Sequence, residues 1–453
     1  MQDKIKVLVH GCFDILHAGH LAHFKAAKKY GNYLIVSVTA DKYVNKGPGR
    51  PVFPQDTRMS MLKELSIIDE VVLSDSPTAI QVIENCKPSF YVKGHDYADR
   101  SKDITGEIYN EEAAVKKHGG ELVFTDEETF SSSTLANRWF LSWSDAQQIV
   151  IEKIKELGGM DTIEKLFEDI SKLKVTVIGE PILDIYRFVE PQNISSKSPS
   201  VSAKFLYQEE YRGGAWAIEE HLKGFCTLKL FPLYGAKVPK KIRYIAIDKS
   251  QRIFEVTEID EASWVVGTSR IGPYTDQCDA VLIADFGHGL IEGELLAQCN
   301  EIKSFVALNS QTNSSNLPFN PFTKHKNYSY LCIDTREARI AFHDKNASPE
   351  ELVEMIAEKS AGYCHSMTLG SNGAYFVSDK PHHSPAFADQ VIDATGAGDA
   401  YFAITSLLCK VGAPPEMIPF LGNVFAGLKT KIIGNKASVT KAQFQKALTG
   451  ILK

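Results

Sequence analysis

The chain has 453 residues and a formal net charge of −6, with 44% apolar and 23% charged residues. This length allows two or three ordinary globular domains, and the negative charge argues against a general nucleic-acid-binding protein. The eight cysteines form no C-x-x-C pair, and no apolar run approaches the ~20 residues of a membrane span. We therefore expect a cytoplasmic protein with reduced thiols and without nucleic-acid or membrane partners.

The first predicted elements are a short strand, Val7 to Val9, which ends at Gly11, and a helix from Gly19 to Lys29. A helix that begins just past the carboxyl end of a parallel strand favours anion binding, because its free N–H groups and its dipole point at the ligand. His17 and His20 lie at this point and can donate hydrogen bonds to a phosphate under attack. A zinc site is the alternative, but no Cys, Asp or Glu lies at ligand spacing around them.

Strand and helix patterns alternate from residue 5 to about 140, with strands predicted at 34–39, 70–73, 89–93 and 122–124 and helices at 54–65, 77–84 and 111–117. This alternation predicts a parallel, doubly wound α/β sheet with ligand sites at the strand carboxyl ends. The glycine-rich loop from Lys46 to Pro51 is suited to phosphate, although an ordinary loop is the alternative.

The string Gly-Cys-Phe-Asp-Ile-Leu-His-Ala-Gly-His at 11–20 resembles the signature of the nucleotidylyltransferase superfamily. The Lys46 loop and the segment Lys93-Gly-His-Asp-Tyr are similar to stretches of its heptose-phosphate adenylyltransferases. This resemblance implies a Rossmann-like domain that transfers a nucleotidyl group from CTP or ATP to a sugar or polyol phosphate. The base is left open, because cytidylyl and adenylyl transferases share these motifs.

The same resemblance implies the residue roles in the first domain. Catalysis is expected of His17, His20 and Lys46, and Asp14 is expected to orient the site, with Mg²⁺ as one means. Three hydroxyl groups stand where relatives carry Ser-Thr-Thr, and Thr129 replaces the glycine before them. Nucleotide binding is expected of Gly11, Phe13, Asp14, Arg58, Lys93, Asp96, Ser131, Ser132 and Ser133.

A helical pattern from Asp145 to Leu173, divided by Gly158-Gly159, predicts a packed connector. We therefore place a first domain at 1–143, a helical linker at 144–172 and a second domain at 173–453. The second domain opens with a strand at 174–179. Near its end, Asp393-Ala-Thr-Gly-Ala-Gly-Asp runs into an apolar helix, where Gly396 to Gly398 can present N–H groups to a γ-phosphate and Asp399 can accept a proton. A tight turn with Asp as a cap is the alternative.

This second motif resembles the signature of the ribokinase-like (PfkB) carbohydrate kinases, and Gly179-Glu-Pro-Ile-Leu-Asp and Thr368-Leu-Gly-Ser-Asn-Gly are similar to earlier parts of that family. The resemblance implies a second doubly wound domain with a catalytic Asp399 and a Mg²⁺ ligand at Glu337. It implies sugar binding by Asp184, Gly213 and Gly214, and nucleotide binding by Gly370, Gly373, Thr395, Gly396, Ala397 and Gly398.

The second half departs from that family on the sugar side. Ala217 stands where an Asn is expected, the unit after Gly224 looks trimmed, and Asp334-Thr-Arg-Glu replaces Asn-x-x-Glu. The polar run from Asn309 to Asn316 replaces a strand-end Asp-x-Lys, either as a ligand site or as a plain loop. The acceptor is therefore unusual, or the domain no longer phosphorylates.

Both halves together resemble the bifunctional heptose-phosphate kinase/adenylyltransferases, with the domain order swapped. We expect a homodimeric bifunctional enzyme that makes an activated sugar or polyol for a surface glycan. The alternative is a nucleotidylyltransferase whose second half is a pseudokinase, used for ligand binding or dimerisation.

Overall fold

A computed structural model of the chain describes residues 4–44, 50–94, 107–125, 143–194, 201–231, 238–247, 251–259, 270–312, 316–388 and 391–453. The chain divides into two compact units, Met1–Ser144 together with Ala442–Lys453, and Asp145–Lys441. Among the described residues, no helix has the length and apolarity that crossing a membrane requires.

The first unit contains a five-stranded parallel sheet in the order β3-β2-β1-β4-β5. Because the strand order reverses between β1 and β4, the crevice at their carboxyl ends is where ligands bind in open sheets of this kind. Its elements are β1 (Lys6–Gly11), α1 (Ala18–Lys28), β2 (Tyr33–Thr39), a 3₁₀ turn (Asp41–Tyr43), α2 (Gln55–Lys63), β3 (Glu70–Ser74), α3 (Ile80–Cys86), β4 (Phe90–Gly94), α4 (Ile108–Lys117) and β5 (Glu121–Thr125).

Both faces of this sheet are buried, as the apolar runs predict. Val7 and Val9 point to a core that includes Phe24, whereas Leu8 points to a second core that includes Tyr91. Successive side chains of a strand point to opposite faces, so the single run in β1 contributes to both cores.

The second unit begins with α5 (Asp145–Glu156) and α6 (Gly159–Ser171), the two helices predicted around Gly158-Gly159. Its main sheet has eight strands in the order β17-β16-β15-β14-β13-β12-β6-β9, parallel from β9 to β15. The strands are β6 (Lys174–Gly179), β9 (Thr227–Leu230), β12 (Ala280–Asp285), β13 (Phe305–Ser310), β14 (Tyr330–Asp334), β15 (Cys364–Thr368), β16 (Ala374–Val377) and β17 (Pro381–Ser384).

Helices follow the strands of this sheet, as in other doubly wound folds. They are α7 (Ala215–Leu222), α8 (Gly272–Thr275), α9 (Gly293–Cys299), α10 (Thr335–Phe342), α11 (Pro349–Lys359), α12 (Ala397–Lys410) and α13 (Met417–Lys429), with 3₁₀ turns at Phe322–Lys324 and Gly370–Asn372. The last helix of the chain is α14 (Lys441–Leu452).

A separate four-stranded sheet, which we call the lid sheet, was not predicted from the sequence. Its order is β11-β10-β7-β8, and its strands are β7 (Pro181–Ile194), β8 (Val201–Gly214), β10 (Lys240–Ala246) and β11 (Gln251–Glu258). Asp184 on β7 is in register with Lys241 on β10 and with Tyr211 on β8. Side chains two positions apart share a face, so Asp184, Lys241 and Arg243 lie on the same side of the lid sheet.

Candidate functional sites

The connection between β1 and α1 has an unusual backbone. Phe13 and Ile15 adopt φ angles of 50° and 57°, a left-handed region that residues other than glycine rarely occupy. Such strain persists only where the surroundings over-determine it, and it concentrates at functional sites. Phe13 is buried, and its ring packs edge-on against His20 with the ring centroids 5.4 Å apart.

The two predicted catalytic histidines meet at the N-terminus of α1. His17 is the N-cap residue, and its carbonyl oxygen accepts the N–H of His20 at 3.0 Å. The two imidazole rings are stacked with centroids 3.9 Å apart. This places both rings beside the helix N-terminus at the carboxyl edge of the sheet, where an anion is favoured.

Asp14 is fully buried and holds the segment that precedes α2. Its carboxylate accepts the N–H groups of Val52 at 2.9 Å and Phe53 at 3.1 Å, and it pairs with Arg50 at 2.9 Å. The residue thus orients the site through the protein backbone, and the described contacts assign it no metal.

Arg58 is enclosed by protein groups. Its side chain has an exposed fraction of 0%. The guanidinium donates to the carboxylate of Asp41 at 2.6 Å and to the carbonyl oxygens of Cys12, Thr39 and Phe53. Arg58 therefore ties β1, β2 and α2 together, which corrects its expected role as a phosphate-neutralising cation.

Lys93 lies at the end of β4, and its ammonium pairs with the buried Glu111 at 2.5 Å. Burial, together with the nearby Lys93 charge, lowers the pKa of His10 to about 4, so this imidazole is neutral near pH 7. His10 contacts the hydroxyl groups of Ser37 at 3.1 Å and Thr39 at 3.4 Å. His10 is not among the residues predicted from the sequence, although its position next to Gly11 at a strand end is a signal that points to it.

Of the remaining predicted residues of the first domain, the structure describes Gly11. It lies at the end of β1 beside Phe13. The other predicted residues of the first domain, Lys46, Asp96, Ser131, Ser132 and Ser133, lie outside the described residues.

In the second unit, Thr395 to Asp399 form the turn into α12. Gly396 is the N-cap residue with φ of 78°, a conformation that glycine adopts readily, and Ala397 and Gly398 are the first two residues of the helix. Asp399 is buried at the third helical position, and burial raises its pKa to about 6. A carboxylate with that pKa can accept a proton near neutral pH.

Gln311, which follows β13, is the main functional candidate that the sequence analysis left undecided. Its side-chain nitrogen donates to Asp399 at 2.8 Å and to Asn309 at 2.8 Å. Asn309 in turn donates to the carbonyl oxygen of Cys332 on β14 at 2.8 Å. The polar run at the end of β13 therefore contacts the predicted base, Asp399.

Asp184 is buried and already engaged. Its carboxylate pairs with Arg243 and accepts the side-chain N–H of Asn435 at 2.9 Å. A Cβ on Gly213 would collide with the same carboxylate, which explains the glycine there. Gly214, with φ of 62°, is the N-cap residue of α7.

Lys241 contributes a further cation on the lid-sheet face of Asp184. It forms no hydrogen bond or ion pair with the residues that the structure describes. Burial and the Arg243 charge lower the pKa of Lys241, whereas the Asp184, Glu255 and Asp399 carboxylates raise it. Its ammonium is therefore within electrostatic reach of Asp184 and Asp399.

The predicted metal ligand Glu337 serves a different contact in this structure. Its carboxylate accepts the backbone N–H groups of Asp334 at 2.8 Å and Thr312 at 3.1 Å, forming a capping box at the start of α10. Burial raises its pKa well above the usual value. Across the described part of the chain, no group of three His, Cys, Asp or Glu residues is arranged to hold a metal ion. Mg²⁺ in nucleotide sites is usually held by one or two carboxylates together with phosphate oxygens and waters, so the role of Glu337 as a metal ligand stays a prediction.

Gly370 and Gly373 form the tight turn between β15 and β16. Their φ angles are 59° and 92°, and a Cβ on Gly373 would collide with the carbonyl oxygen of Ser384. Gly370 is exposed, and the turn follows the carboxyl end of β15, the edge at which open α/β sheets bind ligands.

Comparisons with known proteins match the two halves separately. Residues 8–138 match the cytidylyltransferase-like family, and residues 294–441 match the pfkB family of carbohydrate kinases. The chain is 38% identical over 122 residues to the bifunctional protein HldE of Alcanivorax borkumensis and 48% identical over 102 residues to that of Photobacterium profundum. These matches cover 26% and 22% of this chain and only 24% and 21% of the two relatives.

The predicted sugar-binding residues Asp184, Gly213 and Gly214 lie before the matched kinase range. The fold there has support from a candidate ribokinase of Agrobacterium tumefaciens, whose crystal structure superposes with a TM-score of 0.51 at 13% identity. The superposition covers 62% of this chain and 98% of that protein, and at this identity it shows the fold alone. The chain therefore combines an N-terminal cytidylyltransferase-like domain with a C-terminal pfkB carbohydrate kinase domain, in the order opposite to that of HldE.

Proposed function

We propose that the chain is a bifunctional enzyme that makes a nucleotide-activated sugar or polyol, for use in a surface glycan. The observation that carries this proposal is that each half keeps a reactive side chain at the third position of a helix: His20 in α1 and Asp399 in α12. Helix N-termini favour the phosphate groups on which both reactions act.

In the first half, a phosphate oxygen of a sugar phosphate attacks the α-phosphorus of CTP or ATP, and pyrophosphate leaves. The attacking phosphate is already nucleophilic, so catalysis consists of positioning and charge stabilisation. His17 and His20 donate hydrogen bonds to the triphosphate as its charge increases. Lys46, Lys93 and the hydroxyl groups of Ser131 to Ser133 complete the proposed nucleotide site.

In the second half, Asp399 accepts the proton of an acceptor hydroxyl that attacks the γ-phosphorus of ATP. The N–H groups of the first turn of α12 receive the transferred phosphate. Gln311 holds the Asp399 carboxylate through the 2.8 Å hydrogen bond and favours its ionised form.

The charge of the acceptor side favours a sugar phosphate over a neutral sugar. Lys241 lacks a bonded carboxylate among the described residues, and it lies on the same sheet face as Arg243. The Lys241 ammonium forms its strongest hydrogen bond with an anionic group, so a phosphate on the acceptor strengthens binding there.

One observation favours the pseudokinase alternative. The buried carboxylate of Asp184 is already bonded to Arg243 and Asn435, so a sugar hydroxyl must reach one of its remaining acceptor positions to bind. If it cannot, the second half binds a ligand or supports a homodimer without transferring phosphate.

The proposed enzyme uses Mg²⁺ and works in the cytoplasm. Mg²⁺ is proposed as the ion that the triphosphate carries, held mainly by phosphate oxygens. A cytoplasmic location agrees with the free state of all eight cysteines.

The deciding experiment supplies each of the four nucleoside triphosphates with a panel of sugar 1-phosphates and follows pyrophosphate release. A second assay follows ATP consumption with sugars and sugar phosphates, in the wild type and in Asp399→Asn. Acceptor-dependent ATP turnover that Asp399→Asn lacks supports the kinase. If no acceptor raises turnover above the variant's level, the pseudokinase replaces it.

A further inference from the structure

Lys429, the last residue of α13, is a lysine with an exposed fraction of 0%. Its ammonium donates hydrogen bonds to the main-chain carbonyl oxygens of Thr395, at 2.9 Å, and Gly434, at 2.6 Å. Removing an ammonium from water carries a large desolvation penalty. This buried charge lies next to the turn that begins α12.

The Lys429 side chain passes directly beneath this turn. A Cβ built on Gly396 would lie 3.3 Å from Cε and 3.5 Å from Nζ of Lys429. Asp393 bonds to the same two residues as Lys429. Its carboxylate accepts the N–H groups of Thr395 at 2.9 Å and Gly434 at 2.8 Å. An ammonium bound to carbonyl oxygens and a carboxylate bound to N–H groups therefore fix the turn together.

The charged groups near Lys429 are carboxylates of the proposed kinase site. Its pKa is lowered by burial and raised by the carboxylates of Asp393, Asp399 and Asp184. The Lys429 charge in turn favours the ionised form of Asp399. The buried ammonium thus bonds to the turn and interacts electrostatically with Asp399 and Asp184.

We propose that Lys429 is a positioning residue of the kinase half, whose ammonium acts as a built-in monovalent cation. It fixes the carbonyl groups of Thr395 and Gly434, and so holds the N–H groups of the turn toward the transferred phosphate. Rings of carbonyl oxygens are also how proteins hold a free potassium ion. Because this cation is covalently attached, the kinase half needs no free monovalent cation. The inference rests on the proposed kinase activity.

The main test is Lys429→Met, which keeps a stem of the same length as far as Cε, with sulfur in place of Cδ, and removes the ammonium group. We expect kcat to fall roughly 10- to 100-fold, the range seen when groups behind a ligand shell are removed, with little change in the acceptor KM. Ammonium or potassium chloride should restore kcat by filling the gap, and choline chloride at equal ionic strength should not. Lys410→Met, at the end of the same helix as Asp399, is the matched control and should behave as the wild type in all three salts.

Wild-type kcat in Lys429→Met would overturn the proposal. So would a loss that neither cation restores and that accompanies a lower melting temperature, because the lysine would then only stabilise the fold. A measurement on the wild type does not depend on the variant folding: turnover should be equal in potassium and choline salts, and a potassium requirement contradicts a built-in cation.

If no acceptor supports turnover, the proposed kinase function fails by itself. Binding of a non-hydrolysable ATP analogue, measured by titration calorimetry, then tests whether the Lys429 ammonium positions the turn. Weaker binding in Lys429→Met that ammonium chloride restores supports the proposal, and equal binding in both proteins overturns it.

Discussion

The side-chain nitrogen of Gln311 lies 2.8 Å from Oδ1 of Asp399, although the two residues are 88 positions apart in the chain. Gln311 follows β13, and Asp399 lies in the first turn of α12. Burial raises the pKa of the Asp399 carboxyl group and this hydrogen bond lowers it, with a net pKa of about 6. The two effects together set the pH at which Asp399 can act as a base.

The first prediction concerns Gln311→Ala. Asp399 accepts a proton only when ionised, so kinase turnover falls as the pH drops through its pKa. Without the Gln311 hydrogen bond that pKa rises, and the acid limb of the kcat–pH profile should move up by about one pH unit, since a hydrogen bond to a charged group contributes about 1.5 kcal/mol. Gln208→Ala, on the lid sheet, is the control and should leave the profile in place. An unmoved acid limb in Gln311→Ala would contradict this role.

The second prediction concerns the stacked histidines of the first domain. His20→Ala should lower pyrophosphate release by ~10²-fold or more, the scale for losing one transition-state donor. His118→Ala, at the end of α4, should keep normal turnover. Unchanged release by a folded His20→Ala protein would remove His20 from the mechanism.

The third prediction concerns Arg58, whose role here is structural. Arg58→Ala leaves three carbonyl oxygens and the Asp41 carboxylate without their donor, so the first domain should lose roughly 3 kcal/mol of unfolding free energy. Denaturant unfolding measures this loss. A variant with normal stability and a raised KM for the nucleotide would instead restore the phosphate-binding role.

The fourth prediction concerns Lys241. Lys241→Met should raise the KM for a phosphorylated acceptor by about tenfold, the equivalent of one lost charge-assisted hydrogen bond, and leave the KM for ATP unchanged. Steady-state kinetics with matched sugar and sugar-phosphate acceptors measures the difference. An equal change in KM for the sugar and for the sugar phosphate would show that Lys241 does not bind the phosphate group. Lys240→Met, the exposed neighbour on the opposite face, is the control.

The sequence by itself determined the order of the elements and the two reactive motifs. The alternating strands and helices of the first domain are predicted by local apolar runs, and both the five-stranded parallel sheet and the helix after His17 are confirmed. The same holds for the turn from Thr395 to Asp399, because a glycine turn into an apolar helix is a local pattern. Local patterns are what a sequence carries most directly.

Tertiary structure alone decided which side chains meet. The sequence shows Arg58 only as a cation, but the folded chain buries it and surrounds it with carbonyl oxygens. The lid sheet places Lys241 and Arg243 beside Asp184 through strand register, which long-range pairing sets. Gln311 reaches Asp399, and Lys429 reaches Thr395, only because segments that are distant in the sequence pack together. Such contacts depend on distances between remote segments, and no local pattern encodes those distances.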